Sequence, residues 1–467
     1  MNAPHAPDLH RPRSHFTAAR HWINDPNGVG FHAGRWHLYY QHNPGAAHWG
    51  DMHWGHATSA DLVTWRDEPI ALAPTPGTGD AGGCFSGSLV VVEGVPTLYY
   101  TGWTPERQVQ CMATATTTDD TLNVWHKHPA PILPEPPEGV SPQDFRDPWV
   151  FRHGDGWCMV LGASWRGERG QCLLYRSADG QVWTYHGPLF TSPDLALGRM
   201  WECPNLFPVG DPALGLWALT VSVWPNLGAH AFIGRFDGER FEPESDTVLD
   251  VDGGSFAHLA TTAPDGRVLQ WAWLNEQRAQ HRTDAGGWAG AMSVPREIGL
   301  DAQRRLTVRP AAEVERLRTV LVEPEADGVR RGRHLDIEAA FTLRDDQPVG
   351  LVLAATPDGE ERTRVVYRPQ ARRLTIERSR SSLDAEVSRQ DVQGLLVLDD
   401  GEPLRLRVLL DASVLEVYAN ERLCLSTRLY PTRGDSDRAS AFCDGSASAL
   451  AQLQVWATGE VMPDRVG

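Results

Sequence analysis

Residues 36–65, WHLYYQHNPGAAHWGDMHWGHATSADLVTW, contain the pattern that decides the fold. The stretch begins with an apolar strand, passes through a polar turn into a second strand of small and hydroxyl residues, and ends with an Asp-containing turn before Trp65. Similar patterns begin near residues 97, 157, 216 and 268. Strand-rich units that recur every 50 to 70 residues or so are typical of radial repeats, and we therefore expect a β-propeller of about five blades.

The pattern changes after about residue 335, where strands alternate apolar and charged residues, as in LRLRVLL at 404–410. One apolar and one charged face indicate half-exposed antiparallel sheets, so we expect a β-sandwich there. Pro310 and the acids and arginines that follow it predict a short helix over residues 310–320. The sequence thus predicts an all-β protein with a five-bladed propeller over residues 1–312, a linker with a short helix over 313–334, and a C-terminal β-sandwich over 335–467.

Composition limits the partners. A formal net charge of −17, without a stripe of Lys and Arg, argues against nucleic acid and anionic membranes and favours a small neutral ligand. The 18 tryptophans suit stacking on sugar rings, with core packing as the alternative for most of them. Seven scattered cysteines predict neither disulfides nor a zinc site, and residues 1–20 lack the apolar segment of a signal peptide. We expect a cytoplasmic protein, and the sequence leaves open whether it is a homo-oligomer.

Three segments place a carboxylate one or two residues before a proline, which predicts rigid turns: WINDPNG (22–28), FRDP (145–148) and WECPN (201–205). Taken alone, each segment could equally be a surface turn or hold a buried carboxyl without a catalytic role. Together they fit glycoside hydrolysis, which needs one protonated and one ionised carboxyl on either side of the scissile bond. The apolar neighbours of Glu202 predict a raised pKa, as a general acid requires. We expect the amides near Asp25 and the guanidinium of Arg146 beside Asp147 to keep those two carboxyls ionised.

In this order and spacing, and together with FSGS (85–88), WAGAMSVPRE (288–297) and LLDASVLEVYAN (409–420), the motifs closely resemble glycoside hydrolase family 32, the invertase-like β-fructofuranosidases. The resemblance covers nearly the whole chain. It implies a retaining reaction through a covalent fructosyl-enzyme intermediate, without a metal or other cofactor. In this reaction Asp25 would be the nucleophile, Glu202 the general acid and then base, and Asp147 the transition-state stabiliser, with carboxyls about 5–5.5 Å apart. The fructose-binding residues implied are Asn24, Gln41, Trp49, Phe85, Ser86, Arg146 and Trp271.

The expected substrate is sucrose or sucrose 6-phosphate, a small-molecule sugar. Hydrolysis of fructo-oligosaccharides or fructans, fructosyl transfer, and sugar binding without catalysis are the alternatives. The segment DGGSFAH at 252–258 is shorter than its family counterpart and lacks that segment's tyrosine, which leaves the choice of leaving group open. A preference for phosphate would require a cationic site near the glucosyl position, and the sequence identifies none. The sandwich is expected to pack on the propeller, with contact to a second subunit or to longer substrates as the alternative.

Overall fold

The computed structural model describes residues 8–116, 120–225, 228–251 and 254–465, and it confirms a β-propeller followed by a β-sandwich. Each blade of the propeller is built on four antiparallel strands, which are consecutive in blades I to IV. Blade I contains β1 (His21–His32), β2 (Arg35–Asn43), β3 (His53–Ser59) and β4 (Trp65–Leu72). Blade II contains β5 (Gly83–Val92), β6 (Val95–Trp103), β7 (Gln108–Ala115) and β8 (Trp125–Lys127). Blade III contains β9 (Val140–His153), β10 (Gly156–Trp165), β11 (Arg169–Ser177) and β12 (Thr184–Thr191).

The last two blades differ in how regular they are. Blade IV contains β13 (Met200–Pro208), β14 (Trp217–Trp224), β15 (Ala229–Phe236) and β16 (Phe241–Asp250). Blade V contains β17 (Ser255–Thr262), β18 (Val268–Leu274), β21 (Arg296–Leu300) and β22 (Leu306–Pro310). Between β18 and β21 the chain forms α1 (Gln280–Gly286) and two very short strands, β19 (Trp288–Ala289) and β20 (Ala291–Met292). The repeat seen in the sequence begins at the second strand of each blade.

The first strand of each blade lies at the centre of the propeller. β1, β5, β9, β13 and β17 contact one another in that cyclic order, and β17 returns to β1. The ring is closed by β19, which pairs in parallel with β1, so that His21 lies opposite Trp288. Residues from the connection between two strands of blade V therefore complete blade I.

All five central strands are irregular at the same level. Their pairing with the second strand shifts register at residues 23–26, 84–87, 146–149, 202–205 and 256–259. In three of these segments a residue other than glycine has a positive φ, namely Asp147 (65°), Cys203 (46°) and Ala257 (52°). Bulges re-aim side chains and bend a strand. The predicted rigid turns around Asp25, Asp147 and Glu202 are therefore wrong, because the Pro-containing motifs form bulges within strands.

Beyond the propeller, the described residues form two six-stranded sheets that enclose a second apolar core. The first sheet has the order β23 (Arg318–Leu321), β34 (Ala449–Thr458), β25 (His334–Thr342), β30 (Leu404–Asp411), β31 (Val414–Ala419) and β32 (Leu423–Arg428). The second has the order β24 (Arg330–Arg331), β33 (Arg438–Cys443), β26 (Val349–Ala355), β27 (Arg362–Arg368), β28 (Arg373–Arg380) and β29 (Val392–Leu395).

The segment between propeller and sandwich is mostly extended. A 3-10 helix covers Ala312–Leu317, and β23 begins directly after it and pairs with β34. The helix is shorter than the one predicted over residues 310–320, because Arg318 already takes part in sheet pairing. The domain boundaries at residues 312 and 335 stay predictions.

Buried charges join the sandwich to the propeller. Glu416 on β31 bonds the guanidinium of Arg296 on β21, and its Oε2 lies 3.0 Å from Nε2 of His15. Nδ1 of the same imidazole lies 2.8 Å from a carboxylate oxygen of Asp411. Because these side chains are almost fully buried, removing one partner would leave a buried charge uncompensated. The N-terminal segment is thereby fixed to the sandwich.

Candidate active site

The five central bulges face one end of the propeller axis, where they surround a cavity of about 530 Å³. Three of the carboxyls that line it come from different blades, Asp25 from β1, Asp147 from β9 and Glu202 from β13. Residues far apart in the chain therefore meet at one site. A cavity of about 730 Å³ between propeller and sandwich is larger, but it contains none of these three acids.

The Asp25 carboxylate is held by two donors. Oγ of Ser86 donates to Oδ2 at 2.5 Å, and Nδ2 of Asn24 donates to Oδ1 at 2.8 Å. The Asn24 amide is itself oriented by Nε1 of Trp22, which donates to its oxygen at 2.7 Å. Both carboxylate oxygens are thus fixed, and the orientation is set before any ligand enters.

Asp147 and Cys203 lie at two of the positive-φ positions. The backbone N–H of Cys203 donates to Oδ2 of Asp147 at 2.8 Å, and the backbone N–H of Asp147 donates to Oγ1 of Thr101 at 2.9 Å. The Cys203 thiol lies 3.5 Å from that same Asp147 oxygen and 3.7 Å from Oδ2 of Asp25. The two carboxylates therefore approach each other on either side of one thiol.

Glu202 is paired with Arg146 across two blades. Nε of Arg146 donates to Oε1 of Glu202 at 3.1 Å, and Nη2 bonds the same oxygen. Arg146 thus bonds Glu202, and its charge also lowers the pKa of Asp147, as expected. Burial outweighs that effect on Asp147.

Burial affects the titration of all three acids. It raises the pKa of Asp25, although the bonds from Ser86 and Asn24 oppose the rise. It raises the pKa of Glu202 against the attraction of Arg146, and it raises that of Asp147 to about 7. Like charges in a dry site cannot all ionise without cost, so the site retains a proton near neutral pH. This agrees with the expected raised pKa of Glu202, whereas Asp147 is mostly ionised only above about pH 7.

Replacing Asp147 by Asn should stabilise the fold at high pH. The folded protein holds the Asp147 proton up to about pH 7, whereas the unfolded chain releases it near pH 3.8, so stability falls as pH rises through this window. An amide removes that loss, and we expect the free energy of unfolding to rise by about 1 to 4 kcal/mol above pH 7, with no gain below pH 4.

Thermal unfolding at pH 5 and pH 8 measures this difference. Asp155→Asn, at an exposed turn of the same blade, is the matched control and should change neither midpoint. A variant that is no more stable at pH 8 than the native chain would contradict the buried-charge explanation. The activity of the Asp147→Asn variant should be low even though its fold is more stable.

Aromatic side chains form two walls of the cavity. Phe85 stacks on Trp103 with ring centroids 5.6 Å apart and planes 6° apart, and Trp49 meets Phe85 edge-on at 6.1 Å. The ring of Trp49 is 53% exposed at the mouth. Trp224 and other rings of blades IV and V line the opposite side. Flat apolar faces next to carboxylates suit a sugar ring, which has both apolar and hydroxyl surfaces.

The structure places six of the seven expected fructose-binding residues in the cavity wall, namely Asn24, Gln41, Trp49, Phe85, Ser86 and Arg146. Trp271 does not line the cavity. It is 1% exposed and packs near Trp36 in the core between blades V and I. Trp273, two residues further along β18, is the side chain that reaches the cavity. The two indoles share a face of the strand, and Trp271 lies one pleat deeper.

Eight wall residues were not identified from the sequence: Met52, Trp103, Gln108, Gln143, Asp144, Trp224, Phe256 and Trp273. The repeats in the sequence contained a signal for the three tryptophans of this set. Trp103 and Trp224 end the second strands of blades II and IV, and Trp273 lies one residue before the end of that strand in blade V. Aligning the repeats on these strands would have revealed them. Residues 252 and 253 of the atypical segment lie outside the described residues.

Two further properties bear on the site. No group of three or more His, Cys, Asp or Glu is arranged to hold a metal ion within the described ranges. In that same part of the chain, no helix has the length and apolar character needed to cross a bilayer. The ionisable side chains of the described residues that line the cavity are four carboxyls and one guanidinium.

Comparison with known proteins gives consistent matches. The family model for the glycosyl hydrolases family 32 N-terminal domain matches residues 15–310, and that for the family 32 C-terminal domain matches residues 305–457. A sucrose-6-phosphate hydrolase of Escherichia coli is 32% identical over 96% of this chain and 95% of its own length.

Solved structures agree with these matches. Fructan 1-exohydrolase IIa from Cichorium intybus superposes with a TM-score of 0.89 at 26% identity, covering 97% of this chain and 98% of that one. A mutant β-fructofuranosidase of Bombyx mori in complex with sucrose superposes with a TM-score of 0.80 at 27% identity, and the match covers 97% of this chain and 95% of that one.

Proposed function

Because the chain belongs to glycoside hydrolase family 32, and is therefore a glycoside hydrolase, we propose that it hydrolyses the β-fructofuranosidic bond of sucrose or sucrose 6-phosphate and releases fructose. The observation that carries this proposal is the convergence of Asp25, Asp147 and Glu202 in one cavity, with Arg146 on Glu202. Two carboxyls are the minimum for glycoside hydrolysis. The third, Asp147, is suited to binding sugar hydroxyls and stabilising positive charge on the ring.

In the first half of the reaction, Asp25 attacks the anomeric carbon of the fructosyl unit while Glu202 gives its proton to the departing glucosyl oxygen. The glycosidic C–O bond breaks as an ester bond to Asp25 forms. Ser86 and Asn24 hold the carboxylate for this attack. In the second half, ionised Glu202 takes a proton from water, and the water oxygen displaces Asp25 from the sugar. Configuration is retained because the carbon is attacked twice.

The proton requirement of Glu202 fits its surroundings. As an acid it must be protonated, and burial favours that form; as a base it must be ionised, and Arg146 favours that form. Opposing influences of this kind place a group where it can serve both steps.

Release of glucose and fructose from sucrose, sucrose 6-phosphate, kestose, inulin and levan tests the proposal. We expect fructose from sucrose, with kcat/KM for the fructans lower. A higher kcat/KM on inulin or levan would favour the fructan hydrolase alternative, and accumulation of longer fructosides at high sucrose would favour a transferase. If none of the five released fructose, the sugar-binding alternative would replace the enzymatic one.

We also propose a cytoplasmic location. The seven cysteines are free thiols, six of them buried, which suits a reducing compartment. Recovery of the activity from the medium instead of the cell lysate would contradict this.

A further inference from the structure

We propose that the cavity selects fructosides whose leaving group is uncharged, so that sucrose is strongly preferred over sucrose 6-phosphate. This inference rests on the proposed function and narrows its substrate class. It derives from the balance of charge in the cavity wall and from how the one cation there is used.

Acids outnumber cations in that wall. Among the described residues that line the cavity, Asp25, Asp144, Asp147 and Glu202 carry carboxyls, whereas Arg146 alone carries a cation. The residues outside the described ranges include neither Lys nor Arg. Even if two of the four carboxyls are protonated, the other two outnumber the one guanidinium, so a phosphate entering the cavity would meet an excess of negative charge.

Arg146 is not free to receive a phosphate. Beyond its bonds to Glu202, its Nη1 donates to the side-chain oxygen of Gln108 at 3.3 Å and to the carbonyl of Gln143 at 3.1 Å. A carboxylate oxygen of Asp144 lies 3.8 Å away, and the Arg146 side chain is only 12% exposed. Bidentate recognition of a phosphate needs two unused N–H groups facing the ligand. Here phosphate binding would have to displace the partner of the proposed general acid.

Sucrose 6-phosphate and sucrose differ in the charge that they bring to the cavity wall. A phosphate monoester carries between one and two negative charges near pH 7, and burying it beside carboxylates without a cation costs desolvation as well as repulsion. The glucosyl unit of sucrose offers hydroxyl groups, which can donate to those same carboxylates. The acidic wall that penalises the phosphate thus supports the neutral sugar.

One cation, Arg199, lies outside the cavity wall but next to it. The guanidinium of Arg199 lies 4.2 Å from the ring centroid of Trp224, which is a wall residue. Its N–H groups would be basic donors next to that wall residue if a phosphate were bound there. Arg199 is therefore the residue whose removal distinguishes a phosphate-binding rim from a neutral one.

The test is the ratio of kcat/KM for sucrose to that for sucrose 6-phosphate, measured on the full chain at pH 7. We expect a ratio of at least ten in low salt. Raising ionic strength from about 0.02 M to about 0.5 M should reduce the ratio several-fold, because salt screens the repulsion. A ratio below ten, or one that salt does not change, overturns the inference. Absence of fructose release from either sugar and from fructans would instead overturn the proposed function.

Variants at the rim extend the test. Gln143 is exposed and lines the cavity, and its side chain can be exchanged without removing the carbonyl that Arg146 uses. Gln143→Lys should lower the ratio several-fold, and the matched Gln143→Glu should raise it. Arg199→Gln should leave the ratio unchanged. If it lowers kcat/KM for sucrose 6-phosphate tenfold while sparing sucrose, Arg199 holds the phosphate and the inference fails.

Discussion

Asp25→Asn should lower kcat on sucrose by about 10⁴-fold or more, because the amide cannot form the ester intermediate. The substitution preserves the shape of the side chain, and its oxygen can still accept the bond from Ser86. Binding of fructose should therefore change far less than turnover. Initial rates with sucrose, together with fructose affinity by calorimetry, separate the two effects.

Two further measurements sharpen this prediction. Asp155→Asn, an exposed carboxylate of the same size on blade III, is the matched control and should retain full activity. After a rapid acid quench of the native chain during turnover, the peptide that contains Asp25 should carry one fructosyl unit. A variant retaining a tenth of native turnover, or a fructosyl unit on another acid, would remove Asp25 from the role of nucleophile.

Glu202→Ala should lower kcat/KM on sucrose by about 10³-fold, within the range that general acid catalysis contributes. With an aryl fructoside, whose leaving group needs little protonation, the first half-reaction should stay fast. The second half still lacks its base, so we expect a burst of the phenol followed by a slow steady state. Rapid-mixing kinetics record both phases.

An external nucleophile separates the two roles of Glu202. Azide needs no deprotonation, so it should restore the steady-state rate of the variant and give a fructosyl azide of retained configuration. Glu168→Ala, at an exposed turn of blade III, is the matched control and should show neither a burst nor azide rescue. Equal losses on sucrose and on the aryl fructoside would exclude Glu202 as the acid.

The propeller, the sandwich and the acid-bearing motifs could be predicted, because each depends on residues that are close together in the sequence. A period-two pattern with regular spacing is visible in the sequence, and motifs such as FRDP mark the strands that reach the centre. The bulges could not be predicted, because a register shift depends on the partner strand. The family resemblance implies Trp271, whereas the structure places Trp273 in the cavity wall, because depth along a strand is set by packing between blades. Glu202, the partner of Arg146, comes from another blade and lies 56 residues further along the chain, so no local pattern predicts the pair.

The closure of the ring by β19 has a consequence for how the protein is made. Asp25 lies near the start of the chain, but its strand is completed only by residues 288–289. During synthesis the first four blades can form while β1 still exposes an unpaired edge, which invites pairing with other chains. A nascent or truncated chain that ends before blade V should therefore be inactive and prone to aggregate. The cavity is therefore incomplete until the last blade has met the first.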